Sequence, residues 1–119
     1  ELAFRFPELK IVMAHMGNPW IWDAAEVIYK NENVYADLSG LITGAPAEYR
    51  EEYREWVRRQ VQDAIYYCGA NNMTFGTDYC LISHADAISF FTKLRIERED
   101  LEKIFYKNAL KLFGKGEKV

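Results

Sequence analysis

Cysteine is scarce in this chain. Cys68 and Cys80 are the only two in 119 residues. Two thiols at that spacing make neither a disulfide framework nor a metal-binding CxxC pair. A reducing compartment, the cytoplasm, is the expected setting. No apolar run approaches the ~20 residues that cross a bilayer, and no leader pattern opens the chain. A basic cluster is missing too. The net charge is −3, and Arg50 to Arg59 are interleaved with Glu51, Glu52 and Glu55, the pattern of a solvated helix face. Nucleic-acid binding is therefore excluded. Gly17 and Gly40 follow predicted strands but form no GxGxxG and no Walker-type loop, which excludes nucleotide binding by those routes.

What is present describes a packed α/β domain. Half the residues are hydrophobic and 15% aromatic, too apolar for disorder. The length suits one domain with a modest core. Lys10 to Met16 reads as the first strand. Its apolar run Ile11-Val12-Met13-Ala14 is unbroken, as in a parallel strand covered on both faces. Asn18 as N-cap and Pro19 in the first turn predict a helix to about Lys30, with Ala24, Val27 and Ile28 inward. Val34 to Leu38 is the second strand. From Ala47 a long helix is expected. Tyr49, Tyr53, Trp56, Val57, Val61, Ala64, Ile65 and Cys68 recur at helical spacing, and Gly69 terminates it. The aromatic part of that stripe reads as core packing. Met73 to Phe75 is the third strand. Ser83 and Asp86 form a capping box that opens a helix to about Leu94. A last helix starts at Glu97 to Asp100 and ends near Gly114, with Leu101, Ile104, Phe105 and Leu112 inward. Residues 115–119 are expected to form a loose tail.

Strands alternating with helices imply a parallel sheet. In such sheets ligands gather at the carboxyl ends of the strands. Two residues fall there. His15 follows the first strand, and Asp78 follows the third, two residues after Gly76. An imidazole and a carboxylate that converge can bind a divalent metal or act as an acid–base pair. The bland alternatives are a core histidine bonded to backbone and an aspartate that caps a turn. His84 falls in the first turn of the next helix and reads as a surface residue. Ser39 has no partner that could serve as its base, so no serine nucleophile is expected.

The chain opens without Met, and Leu2, Ala3 and Phe6 are spaced like the last turn of a helix stopped by Pro7. Three strands with open edges make a poor independent fold. The expectation is a piece of a longer protein that pairs with itself or with its missing N-terminal part. A scaffold segment without chemistry is the competing expectation.

Four motifs, in order, carry a resemblance. Phe6-Pro7-Glu8-Leu9-Lys10-Ile11-Val12-Met13-Ala14-His15-Met16-Gly17 resembles the sixth strand of the amidohydrolase-2 group of metal-dependent amidohydrolases. Asn33 to Gly40 resembles the seventh strand and Phe75-Gly76-Thr77-Asp78-Tyr79 the eighth. Glu102-Lys103-Ile104, with Asn108-Ala109 and Leu112-Phe113, resembles the group's last helix. The resemblance implies the C-terminal portion, strands 6–8, of a TIM (β/α)8 barrel. It implies a divalent metal, zinc by expectation, at the barrel mouth. Asp78 would be metal ligand and proton acceptor, and His15 a metal ligand or a residue that orients a small-molecule substrate. The reaction would be hydrolysis or non-oxidative decarboxylation. The sequence departs from the pattern in two loop positions. Cys80 stands where proline is common, and His15-Met16-Gly17-Asn18 lacks a second glycine. The group's HxH pair and fifth-strand histidine have no counterpart here, so activity is expected of the full-length parent and not of these residues alone.

Overall fold

A computed structural model of the chain describes residues 1–114. The expected loose tail, residues 115–119, lies outside the described residues. A short helix, α1 (Leu2–Arg5), leads into β1 (Ile11–Met13). α2 (Ile21–Lys30), β2 (Val34–Asp37), α3 (Glu51–Cys68) and β3 (Met73–Thr74) follow, then α4 (His84–Phe91), α5 (Arg98–Glu102) and α6 (Asn108–Leu112). The three strands form one parallel sheet in the order β1-β2-β3. Val12 faces Tyr35, Met13 faces Ala36, and Asp37 faces Thr74. That register brings the carboxyl ends of the strands to one rim.

The core lies between the sheet and the helices. Val34, Ala36 and Met73 from the strands meet Ile21, Ala24, Ala25 and Ile28 of α2, and Val57, Val61, Ala64 and Ile65 of α3. Phe90 and Phe91 of α4 complete the cluster. The unbroken apolar runs were the reason to expect parallel strands, and β2 is buried at Val34, Tyr35 and Ala36 in succession.

Several expectations need correction. α2 begins at Ile21 with Trp20 at its N-cap. Asn18 is extended and lies outside the helix, in a turn whose Trp20 N–H bonds to the Gly17 carbonyl. Val27 is exposed, and Ile21 and Ala25 take the inner face instead. The aromatic stripe is not core. Tyr49 and Trp56 stand mostly in solvent, and Tyr53 is half-buried. α2 and α4 cover only the aliphatic strip of α3, which is narrower than the apolar stripe in the sequence. Conversely, Arg58 belongs to no solvated face: it is 2% exposed. Its guanidinium bonds to Glu51 and Glu55 and lies 5.1 Å from the Phe90 ring centroid. The box at Ser83 and Asp86 forms as expected, with the Asp86 N–H donating to the Ser83 hydroxyl at 3.1 Å. Its helix ends at Phe91, short of Leu94.

The last helix is not uniform. A π-turn, Lys103–Lys107, interrupts it between α5 and α6. The Phe75 N–H, just past β3, donates to the Ile104 carbonyl in this turn at 2.8 Å. Asn108, buried on the following turn, donates to the Ala70 and Met73 carbonyls. The helix thus satisfies backbone groups around β3 that a neighbouring strand would otherwise take. No helix among the described residues is long and apolar enough to cross a membrane.

Candidate functional site

The carboxyl rim gathers three titratable side chains. β1 runs out at Met13, and the chain turns through Ala14–Gly17 with His15 and Met16 both left-handed, at φ 56° and 49°. Left-handed backbone costs a residue with a Cβ about 1–2 kcal/mol. Met16 offsets that cost by being fully buried. The turn stops β1 abruptly and swings the His15 ring over the end of β2. Asp78 is left-handed as well, at φ 55°. The Leu81 N–H bonds to the Asp78 carbonyl, which closes the turn behind it. Every described non-glycine residue with positive φ therefore lies at this rim, two of them as site residues.

His15 Nε2 lies 3.9 Å from Asp78 Oδ2. On the other side of the ring, Nδ1 lies 2.9 Å from the Ser39 carbonyl oxygen and 3.0 Å from Ser39 Oγ. Ser39 in turn is held by Asp37. Its N–H donates to Asp37 Oδ1 at 2.9 Å, and its hydroxyl donates to the same oxygen. Asp37 Oδ1 stands 4.0 Å from His15 Nδ1. A chain of contacts therefore runs Asp37–Ser39–His15–Asp78 across the ends of all three strands. The side chains of His15, Asp37 and Asp78 are all partly open to water.

Two glycines make the approach possible. A Cβ on Gly40 would stand 2.4 Å from His15 Nδ1, and Gly40 is itself left-handed at φ 63°. A Cβ on Gly76 would stand 2.9 Å from the Ser39 Cβ. Any larger residue at either position pushes the imidazole or the Ser39 loop away.

The predicted pair His15 and Asp78 meets at one rim. His84 lies apart from it, exposed and stacked on Tyr79 at 5.0 Å between centroids. Sequence reasoning missed Asp37 and Ser39. Asp37 was masked because the expected strand ran on to Leu38, whereas in the structure β2 ends at Asp37. Ser39 was set aside for want of a base, yet its role here is to contact the imidazole. A surface concavity of about 690 Å3 opens at the opposite rim near Phe4, Lys10, Asn33 and Tyr35 and contains none of these residues.

The donors suit a divalent metal in kind. An imidazole nitrogen and a carboxylate oxygen each bind zinc at about 2.0–2.2 Å, and in tetrahedral geometry two such donors stand about 3.4 Å apart. His15 Nε2 and Asp78 Oδ2, at 3.9 Å, would have to close by about half an ångström to share one ion. In number they fall short. Among the described residues, no group of three or more His, Cys, Asp or Glu side chains converges to hold a metal.

Comparison with known proteins assigns the class. A family model for amidohydrolases matches residues 1–115, and the chain belongs to that family. It is 29% identical to a gamma-resorcylate decarboxylase of Polaromonas sp. over 92% of this chain. Its fold matches an amidohydrolase from Burkholderia multivorans with bound zinc, at TM-score 0.81 and 18% identity over 95% of the chain. It also matches a TIM-barrel protein of Bordetella bronchiseptica, at TM-score 0.76 and 23% identity over 97% of the chain. The chain spans 35% of the curated relative and 46% and 37% of the two solved proteins.

Proposed function

We propose that this chain is the C-terminal portion, strands 6–8, of a (β/α)8 barrel whose full length is a metal-dependent hydrolase or non-oxidative decarboxylase. The observation that carries the reading is the facing of His15 Nε2 and Asp78 Oδ2 at 3.9 Å on the carboxyl rim of parallel strands. The decarboxylase among the relatives favours an aromatic carboxylate as the small-molecule substrate.

A divalent ion, zinc in our reading, would supply Lewis acidity at the mouth and lower the pKa of a bound water to about 7. His15 and Asp78 would hold it. Asp78 is also the proton acceptor, because its carboxylate stands at the rim with the imidazole as its facing partner. His15 orients the substrate from the end of β1, across β2 from Asp78. Asp37 and Ser39 face the far edge of that ring and do not reach the reacting side.

Two donors hold an ion weakly, so the 119 residues alone are expected to retain little metal and turn over nothing. The remaining ligands belong to the part of the barrel this chain does not span. Its docking places are the outer edges of β1 and β3, which no further strand of the described residues pairs; at the first of them Val12 is 46% exposed. In the absence of that part, self-association through these edges is expected. A non-catalytic assembly role remains the competing reading, favoured only by the short count of donors. Both thiols are free, which fits a cytoplasmic setting.

The test is a metal assay and a substrate screen on the full-length protein, covering aromatic carboxylates for CO2 release and amides or lactones for hydrolysis. One bound divalent ion and turnover abolished by chelation are expected. A metal-free full-length protein inert to the whole panel would sink the enzyme reading.

A further inference from the structure

We infer that Ser39 and Asp37 are positioning residues that fix His15 as the tautomer protonated on Nδ1, so that the Nε2 lone pair faces Asp78. The inference rests on the reading of His15 as a mouth residue acting through Nε2.

The Ser39 carbonyl oxygen, 2.9 Å from His15 Nδ1, can only accept a hydrogen bond. That contact favours a proton on Nδ1, and it depends on the Ser39–Gly40 turn that the Asp37 carboxylate holds through the Ser39 N–H. The opposite tautomer would set two lone pairs against each other at that distance. The hydroxyl supports the same choice. Ser39 Oγ lies 3.0 Å from Nδ1 and could in isolation either donate or accept. Asp37 Oδ1 removes the freedom, because it accepts both the Ser39 hydroxyl proton and the Ser39 N–H. With that proton committed to Asp37, Oγ presents only lone pairs to the imidazole. One N–H is thus shared between two acceptors on the same residue.

The consequence lies on the other side of the ring. A neutral imidazole protonated on Nδ1 has an unprotonated Nε2. That nitrogen faces Asp78 Oδ2 at 3.9 Å, too far for a hydrogen bond and with no proton between them. Two acceptors set opposite each other make a place for a cation or an acidic proton. Histidines that bind metal commonly donate their other N–H to a carbonyl or carboxylate, which fixes the ring in this way. The backbone reinforces it. Left-handed φ at His15 and the absent Cβ of Gly40 let the ring lie flat on the Ser39–Gly40 turn.

The experiment uses the full-length protein, freed of metal by chelation and labelled with 15N in its histidines. Two-bond 1H–15N correlation distinguishes the tautomers, and loss of one spin system in His15→Gln assigns it. His15 is expected with its proton on Nδ1. Asp37→Ala should yield a mixture of tautomers and weaken zinc binding, read by chelator competition, about 10- to 100-fold. Asp37→Asn keeps an oxygen where Oδ1 sits and should restore the single tautomer and, within about threefold, the affinity. Should Asp37→Ala fail to fold, Ser39→Ala removes the hydroxyl while keeping the carbonyl, and should yield an intermediate mixture. A wild-type His15 protonated on Nε2 overturns the inference. So does an Asp37→Ala or Ser39→Ala protein with unchanged tautomer and zinc affinity. A full-length protein that binds no zinc and turns over nothing fails the functional reading instead, and the tautomer still decides this one.

Discussion

The two rims of the sheet solve different problems with different side chains. At the amino ends of the strands, three asparagines stitch the chain together. Asn33 donates to the carbonyls of Ala3, Phe6 and Leu9, and Asn72 to those of Glu32 and Val34. Asn108 reaches Ala70 and Met73 at 2.6 and 2.8 Å. Amides carry no charge at any ordinary pH, and each of these points at backbone. At the carboxyl ends stand His15, Asp37 and Asp78, all titratable, with one carboxylate toward each nitrogen of the imidazole. The backbone there is left-handed at His15, Met16 and Asp78. One rim is built for satisfied hydrogen bonds. The other tolerates strain to hold groups in confrontation, as expected where stability and chemistry occupy opposite ends of parallel strands.

The widest separation between the rims should come from Asp78→Asn in the full-length protein. It removes an anionic ligand and a proton acceptor, and turnover should fall about 10³-fold or more. Stability should hold, because asparagine accepts left-handed backbone as readily as aspartate does. Steady-state kinetics beside urea denaturation check both halves. Near-normal turnover in this variant would defeat the assignment of Asp78, whatever the family.

The mirror experiment is Asn108→Ala. It leaves two buried carbonyls without their donor and should cost about 2–4 kcal/mol of stability. Turnover per folded molecule should stay within about twofold of wild type, because the residue sits at the rim opposite His15 and Asp78. A large loss of activity at full folding would show that the rims are not independent.

What could be read in the sequence follows the same division. Unbroken apolar runs at Ile11–Ala14 and Val34–Ala36 announced parallel strands; β2 is buried along that run, while β1, an edge strand of this sheet, leaves Val12 exposed. His15 and Asp78 were legible because each follows a strand end. Asp37 was hidden inside the run Val34-Tyr35-Ala36-Asp37-Leu38, where it read as one more strand residue. Ser39 could not be read, since its partner His15 lies 24 residues earlier and meets it only through a turn. The asparagines carry no periodic signal, and the carbonyls Asn33 serves are 24 to 30 residues away. Arg58 was lost among alternating charges, because helical spacing alone does not tell which face a long side chain turns toward Phe90. The π-turn answers a demand of β3, a different element, so nothing in its own sequence announces it.

Gly40→Ala sharpens the comparison within the carboxyl rim. The new methyl would collide with the His15 ring, and alanine resists φ 63°. The backbone term is about 1–2 kcal/mol. Displacing the imidazole should lower metal affinity and turnover about 10- to 100-fold, since the ring is what the turn exists to hold. The pair of measurements matters more than either alone. A stability loss without an effect on zinc binding would mean that the ring finds its place without the Ser39–Gly40 turn.

The smallest effect uses the two thiols, one near each rim. Cys80 is exposed, two residues beyond Asp78. Cys68 ends α3 on the approach to β3, where burial pushes its thiol up to about 11. The thiolate is the reactive form, so at pH 8 Cys80 should be alkylated first and Cys68 slowly. Between pH 8 and 10 the Cys68 rate should rise about tenfold per pH unit, because so little of it is ionised below its pKa. The sign for stability follows. The folded chain holds this proton more tightly than the unfolded chain, whose thiol titrates near about 8.5. Stability is therefore unaffected below that value and declines as pH climbs from there toward about 11. Mass spectrometry of the labelled chain over a pH series reads both thiols at once. Equal rates at pH 8 would mean that the end of α3 opens as easily as the loop beyond Asp78, and the amino rim would lose its claim to be the better-anchored half of the sheet.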